Sequence, residues 1–299
     1  MDETARAYQA IIDKFLAWAQ GEENIRAAMV LGSRARADTP ADEFSDLDLL
    51  VFARDIRPYV DSAGWVRRFG IVWLTFMEAT ADGRSLERRV LYQGGLDVDF
   101  SLAPVSLVMP MVEQGFPNDV RVTLSRGYRF LLDKDGLQAR IGACDLKPAP
   151  AAHPGEGEFG ELASDFWYHA VWTAKKLARG EVLLAKSVCD GLLKRQIRRM
   201  AEWQARAAHG LAYDTWHEGR FFEKWADPAI VRQLRGAYAR YDGDEVWAAL
   251  AATMEIFARS ARETARQLKI DYSADSEQHA REFVSSLRHR FQNKNPREG

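Results

Sequence analysis

Leu31-Gly32-Ser33-Arg34, followed after a loop by Ser45-Asp46-Leu47-Asp48-Leu49, is the stretch on which the reading of this chain turns. The apolar run from Ile25 to Leu31 reads as a strand that runs into a Gly-Ser turn. Gly32 lets a backbone come close to a bound phosphate. The turn's N–H groups and the Ser33 hydroxyl are donors suited to phosphate oxygens, and Arg34 adds positive charge beside them. Asp46 and Asp48 open a second apolar strand, Leu47 to Ala53, and the two-residue period places both carboxylates on one face. Like charges held that close repel unless something neutralises them. A divalent cation with hard oxygen ligands does so, and magnesium is the expected ion.

Working outward, Tyr8 to Ala19 has helical spacing, with Ile11, Ile12, Phe15 and Leu16 on one side. Ile71 to Glu78 reads as a third strand and Gly95 to Ala103 as a fourth. The fourth alternates: Leu96, Val98, Phe100 and Leu102 on one face, Asp97, Asp99 and Ser101 on the other. Asp99 is the best candidate for a third metal-holding carboxylate, with Asp97 second, and alternation alone does not separate them. Arg129 to Leu132 is a shorter strand-like piece before the Asp133–Gly136 turn. Strands mixed with helices predict a mixed β-sheet with packed helices.

Near residue 147 the composition changes. Residues 148–160 are rich in proline and glycine and read as a linker. Beyond them the pattern is helical, over Glu161–Ala178, Leu183–Gln204 and Asp244–Leu268. The expected organisation is α/β plus all-α: a sheet-containing domain over 1–147, the linker 148–160, a helical-bundle domain over 161–290, and a disordered polar tail over 291–299. Six of the nine tryptophans fall in the second half. Most are expected in the bundle core, with one or two left to wall a ligand, since aromatic faces pack against flat rings and sugar faces.

Bulk properties exclude several classes of function. A net charge of -2 does not favour a nucleic-acid groove. Two cysteines, Cys144 and Cys189, make neither a disulfide framework nor a metal cluster by themselves. The first residues lack the apolar stretch of a signal peptide, and no uncharged apolar run is long enough to span a membrane. A cytoplasmic location is expected, as a monomer, with a homodimer as the alternative.

The Gly32-Ser33-Arg34 and Ser45-Asp46-Leu47-Asp48 pair resembles the signature of the DNA polymerase β-like nucleotidyltransferase superfamily, and the chain is more closely similar to the aminoglycoside 6-adenylyltransferases. Asp97-Val98-Asp99-Phe100-Ser101-Leu102 resembles that family's third-carboxylate strand, with Asp99 at the matching position. The likeness continues through Arg129–Gly136, Asp165-Phe166-Trp167, Ala174–Glu181, Ala185-Lys186, Met200 with Trp203, Gly219–Trp225, Tyr272 and Asp275, and so covers nearly the whole chain. It implies an N-terminal nucleotidyltransferase domain and a C-terminal helical domain, with ATP and acceptor held between them. It implies magnesium-dependent transfer of AMP from ATP to an aminoglycoside hydroxyl, the 6-hydroxyl of streptomycin first among them, with release of pyrophosphate. Alternative readings are transfer to another small molecule, to RNA or to protein, and a nucleotide-binding module without catalysis.

On that reading Asp46, Asp48 and Asp99 hold one or two magnesium ions. Gly32, Ser33 and Arg34 bind the nucleotide, joined by Lys175 and Lys186 as point charges for the outer phosphates. Asp165 faces the acceptor or takes its proton. Glu181 adds an acidic contact for a cationic acceptor, and Trp167 is the acceptor-side tryptophan.

Overall fold

The structure, a computed structural model, describes residues 3–36, 41–80, 83 and 85–294. The chain divides into two compact units, Met1–Ala149 and Pro150–Gly299.

The first unit runs α1 (Glu3–Gly21), β1 (Ile25–Leu31), β2 (Leu47–Ala53), α2 (Arg57–Asp61), β3 (Val72–Ala79), β4 (Leu86–Tyr92), β5 (Leu96–Pro104), α3 (Val105–Gln114), α4 (Asn118–Ser125), β6 (Tyr128–Asp133) and α5 (Leu137–Gly142). The strands form one mixed sheet in the order β3-β4-β5-β2-β1-β6. β2 and β5 pair in parallel and the other neighbours are antiparallel.

Alternation along the strands sorts the side chains onto two faces. One face carries Val30, Leu47, Leu49, Val98, Phe100 and Leu102, packed beneath Ile11, Ile12 and Phe15 of α1 and against Tyr59, Trp65 and Phe69. The aromatic rings there meet edge to face, Trp65 on Phe100 at 4.9 Å and Phe15 on Phe69 at 5.6 Å. The opposite face buries Met29 and Phe52 against Val108 of α3, Leu124 of α4 and Leu137 and Ile141 of α5. Among the described residues, that second cluster takes nothing from β3 or β4. The apolar packing under these helices therefore lies toward β1, β2 and β6, while Leu74 and Phe76 of β3 are exposed.

β4 escapes a reading by apolar pattern because an arginine stands on its core-facing side. Arg88 is 5% exposed and shares its face with Val90 and Tyr92. Its guanidinium donates to the carbonyls of Tyr59 and Val60, so the buried charge is hydrogen-bonded.

The second unit is helical: α6 (Glu156–Ala178), α7 (Val182–Ser187), α8 (Lys194–His209), α9 (Phe222–Trp225), α10 (Pro228–Leu234), α11 (Gly243–Leu268) and α12 (Ala274–Lys294). A π-helical turn, Val188–Leu193, joins α7 to α8. The core stacks Phe166 on Phe257, ring centroids 3.7 Å apart, and fully buries Trp247 and Phe159.

Two expected boundaries move. Helix α6 starts at Glu156, inside the stretch read as linker. Gly155 precedes it in extended conformation, Glu156 and Glu158 complement the helix dipole, and Phe159 anchors the first turns at 0% exposure. The tail read as disordered from 291 continues α12 to Lys294, because Leu287 and Phe291 pack on the bundle core and Phe291 meets Trp247 at 6.0 Å. Residues 295–299 lie outside the described residues. Among the described residues, no helix is long and apolar enough to cross a membrane.

Candidate active site

The parallel pairing of β2 with β5 sets Asp48 directly beside Asp99. Asp46 stands just ahead of β2, and one carboxylate oxygen from each of the three lies within 4.8 Å of the others. Asp99 is 6% exposed, Asp48 half-buried and Asp46 exposed. Asp97 is on the same face of β5 but exposed and outside this group. Its backbone N–H donates to the Tyr8 hydroxyl at 3.0 Å. Alternation alone did not separate Asp97 from Asp99; register brings Asp99 into the cluster.

Burial comes first among the causes that push the Asp48 carboxyl up to about 7, and repulsion from Asp46 and Asp99 adds to it. Burial likewise leads in raising Asp99 to about 7, followed by the charge of Glu87 and countered by Arg89. Arg89, the residue opposite Asp99 on β4, reaches its Oδ2 at 3.3 Å. The same guanidinium is held by Glu78 at 2.7 Å and Glu87 at 3.1 Å. Asp46 and Asp48 have no ion pair among the described residues, and the buried Asp99 Oδ1 has no hydrogen-bond partner there. Three crowded carboxylates, two of them reluctant to ionise and one with an orphaned oxygen, suit a divalent cation.

The turn after β1 abuts this cluster. Gly32 has φ +68°, and a Cβ built on it would stand 2.4 Å from Asp48 Oδ2. Glycine is needed there twice over, for the backbone angle and for the space. The Ser33 hydroxyl is buried and has no partner among the described residues, so it is free to donate to a ligand. Arg34 turns the other way. Its Nε donates to the Asp46 carbonyl at 2.8 Å, its Nη2 to the Ser45 carbonyl at 2.6 Å, and its guanidinium lies 3.6 Å from the centre of the Tyr8 ring. It braces the backbone that carries Asp46, a direction that the sequence left open.

The residues singled out in the second unit are engaged in different ways. Asp165 is exposed on α6, with His169 Nδ1 at 2.8 Å from its Oδ1 and the Gln196 amide donating to its Oδ2. Lys175 is exposed near the end of α6, its ammonium 5.4 Å from the centre of the Phe283 ring. Lys186 is paired with Asp190 and also donates to the Ala239 carbonyl. Glu181 is gripped by Lys176 at 3.0 Å and Arg179 at 2.7 Å, and the Lys176 contact holds its carboxyl below the usual range. Trp167 corrects the acceptor-side expectation. It is 4% exposed, packs edge-on to Phe166 at 5.1 Å, and spends its indole N–H on the Tyr272 hydroxyl at 2.8 Å. A tryptophan buried on those terms has no free face for a ligand.

Sequence reading missed Arg89, Glu87 and Glu78 because they face the site from β4 and from the outer strand paired to it. The usable signal was a charged alternation, Glu87-Arg88-Arg89, running into the apolar Val90-Leu91-Tyr92.

A Gly-Ser turn beside three clustered carboxylates, two of them on paired parallel strands, on a mixed sheet in a chain that continues into a helical unit, defines a nucleotidyltransferase. The streptomycin adenylyltransferase family profile matches residues 5–287, and the chain belongs to that family of enzymes. It is 23% identical to an aminoglycoside 6-adenylyltransferase of Bacillus subtilis over 275 residues, covering 89% of this chain and 93% of the relative. It is 22% identical to one from Campylobacter jejuni, covering 89% and 91%. The crystal structure of an aminoglycoside 6-adenyltransferase from Bacillus subtilis aligns at 19% identity and a TM-score of 0.45, covering 93% of this chain and 97% of the other.

Proposed function

We propose that this enzyme transfers AMP from ATP to a hydroxyl of an aminoglycoside, with the 6-hydroxyl of streptomycin as the leading acceptor and pyrophosphate as the leaving group. The observation that carries the reading is the convergence of Asp46, Asp48 and Asp99 beside the Gly32-Ser33 turn. The family and the names of the relatives support the choice of acceptor.

Magnesium, bound by the three carboxylates, would neutralise charge on the reacting phosphate and lower the pKa of the entering hydroxyl. The protein's own groups do the rest. Gly32 keeps the space beside Asp48 open, and Ser33 Oγ donates to a phosphate oxygen. Arg34 fixes the strand entrance so that Asp46 and Asp48 stay on target.

The local charge agrees with a cationic acceptor. Arg89 pairs with Glu78, Glu87 and Asp99, Asp46 and Asp48 crowd beside Asp99, Asp97 lies on the same strand face, and the other guanidinium described nearby, that of Arg34, is spent on the Ser45 and Asp46 carbonyls. Such a field draws an aminoglycoside and repels a second polyanion such as RNA. Incubation with magnesium, ATP and streptomycin should release pyrophosphate and raise the drug's mass by one AMP. Folded protein that leaves streptomycin and every other aminoglycoside unmodified would refute the reading.

A further inference from the structure

Hydrogen-bond register aligns one row of side chains across the sheet: Leu31, Asp48, Asp99, Arg89 and Phe76, on β1, β2, β5, β4 and β3. The Gly32-Ser33 turn follows Leu31 at one end of this row. Phe76 stands at the other end, on the edge strand, 55% exposed. Leu74 is its neighbour on the same face, 63% exposed and paired with Leu91 of β4. Glu78 and Glu87 face each other on the far side of Phe76, both within reach of Arg89. An exposed phenylalanine and leucine flanked by two carboxylates make an apolar floor with an acidic border.

We propose that this floor, Phe76 with Leu74 and Leu91, seats the acceptor, and that Glu78 and Glu87 receive its cationic groups. The inference rests on the adenylyl-transfer reading above and adds where the acceptor lies. Phosphoryl transfer is an in-line displacement, with entering and leaving oxygens on opposite sides of the phosphorus. The entering hydroxyl bonds to the α-phosphorus as its bond to the pyrophosphate oxygen breaks. The hydroxyl proton goes to a carboxylate or to water, and the electron pair leaves with pyrophosphate. If pyrophosphate is held at the Gly32-Ser33 turn, the line through the phosphorus above Asp48 and Asp99 points across β4 toward β3. The acceptor then lies over Arg89 and Phe76.

Strand spacing puts Phe76 about 14 Å from Asp48, a span that a multi-ring aminoglycoside covers and a single sugar does not. The apolar faces of saturated rings pack on a phenyl ring, and their amines or guanidines meet the border carboxylates. Adenine hangs from the ribose, off the line of displacement, and does not compete for this floor.

The test is steady-state kinetics with magnesium, ATP and streptomycin on the full chain, run beside calorimetric titration of streptomycin, for wild type, Phe76→Ala, Phe76→Leu and Glu78→Gln. Phe76 is largely exposed, so its variants should fold, with circular dichroism as the control. Phe76→Ala should raise the KM for streptomycin and weaken its binding about tenfold while the KM for ATP stays within about twofold. Phe76→Leu should recover part of the loss. Glu78→Gln should weaken streptomycin binding more at low salt than at high salt. An unchanged streptomycin KM and affinity in Phe76→Ala, or a rise in the KM for ATP alone, would overturn the proposal. Wild-type protein that binds streptomycin through Phe76 without adenylylating it would refute the reaction and keep the seat. Wild-type protein that neither binds nor modifies it would refute both.

Discussion

Replacing Asp48 by Asn should make the metal-free protein more stable at pH 8 and leave it unable to turn over. The side chain keeps its shape, so the close approach to Gly32 is preserved. What goes is a carboxylate that burial and its two neighbours push from 3.8 to about 7. In the unfolded chain it ionises near its ordinary value. Between those two values the unfolded state releases its proton first, so this group's contribution to stability is present below about pH 4 and lost as pH rises through 7. A shift of that size corresponds to about 4 kcal/mol at full ionisation. Part of it is shared with Asp99, so about 2 kcal/mol is the expected gain from the single substitution, or about 4–8 °C in Tm at pH 8. The gain should shrink toward pH 5 and vanish near pH 4. Magnesium should raise the Tm of wild type most at high pH, where protons no longer compete for the carboxylates, and should do little for Asp48→Asn. Differential scanning fluorimetry from pH 4 to 8, with and without magnesium, measures all of this. Equal stability of the two proteins at every pH, or equal stabilisation by magnesium, would refute the reasoning.

Other perturbations separate the parts of the site. Gly32→Ala crowds a methyl against Asp48 Oδ2 and forces a positive φ on alanine; turnover should fall at least about 100-fold, with a stability loss of about 1–2 kcal/mol in urea titration. Ser33→Ala removes a buried hydroxyl that has no protein partner, so the KM for ATP should rise about tenfold while the urea midpoint does not fall. Arg34→Ala frees the carbonyls of Ser45 and Asp46 and should cost about 1–3 kcal/mol together with a drop in kcat, visible by combining urea titration with kinetics.

The parts of the site that were legible in the sequence are local ones. Gly32-Ser33 and Asp46-Leu47-Asp48 each declare themselves within a few residues, because a turn and a two-residue strand period are short-range rules. Asp99 was preferred to Asp97 by resemblance and not by alternation, which gives a face and no position, since the position depends on pairing with a strand far back in the chain. Strand β4 stayed hidden because Arg88 occupies its core face and Leu91 its open one, the reverse of the usual pattern. Helix α3 contains Pro110 and α4 follows Pro117, and both prolines obscure helical spacing. In the second unit, residue type was visible and partnership was not. Trp167 finds Tyr272, and Lys186 finds Ala239, across long separations that no local pattern encodes. Glu181 was open to a closer reading, for Lys176 and Arg179 both stand within five residues of it.

The parallel pairing of β2 with β5 has a consequence for how such an enzyme can change. For β2 and β5 to run the same way, the chain between them must cross back, and here it does so through β3 and β4. That returning hairpin lies on the outer side of β5, where Arg89 of β4 reaches Asp99, while the pairing that aligns Asp48 with Asp99 is made between β2 and β5. Mutation can reshape the edge strand β3 while the three carboxylates keep their spacing. Descendants of one ancestor can therefore diverge at the margin and stay constant at the centre.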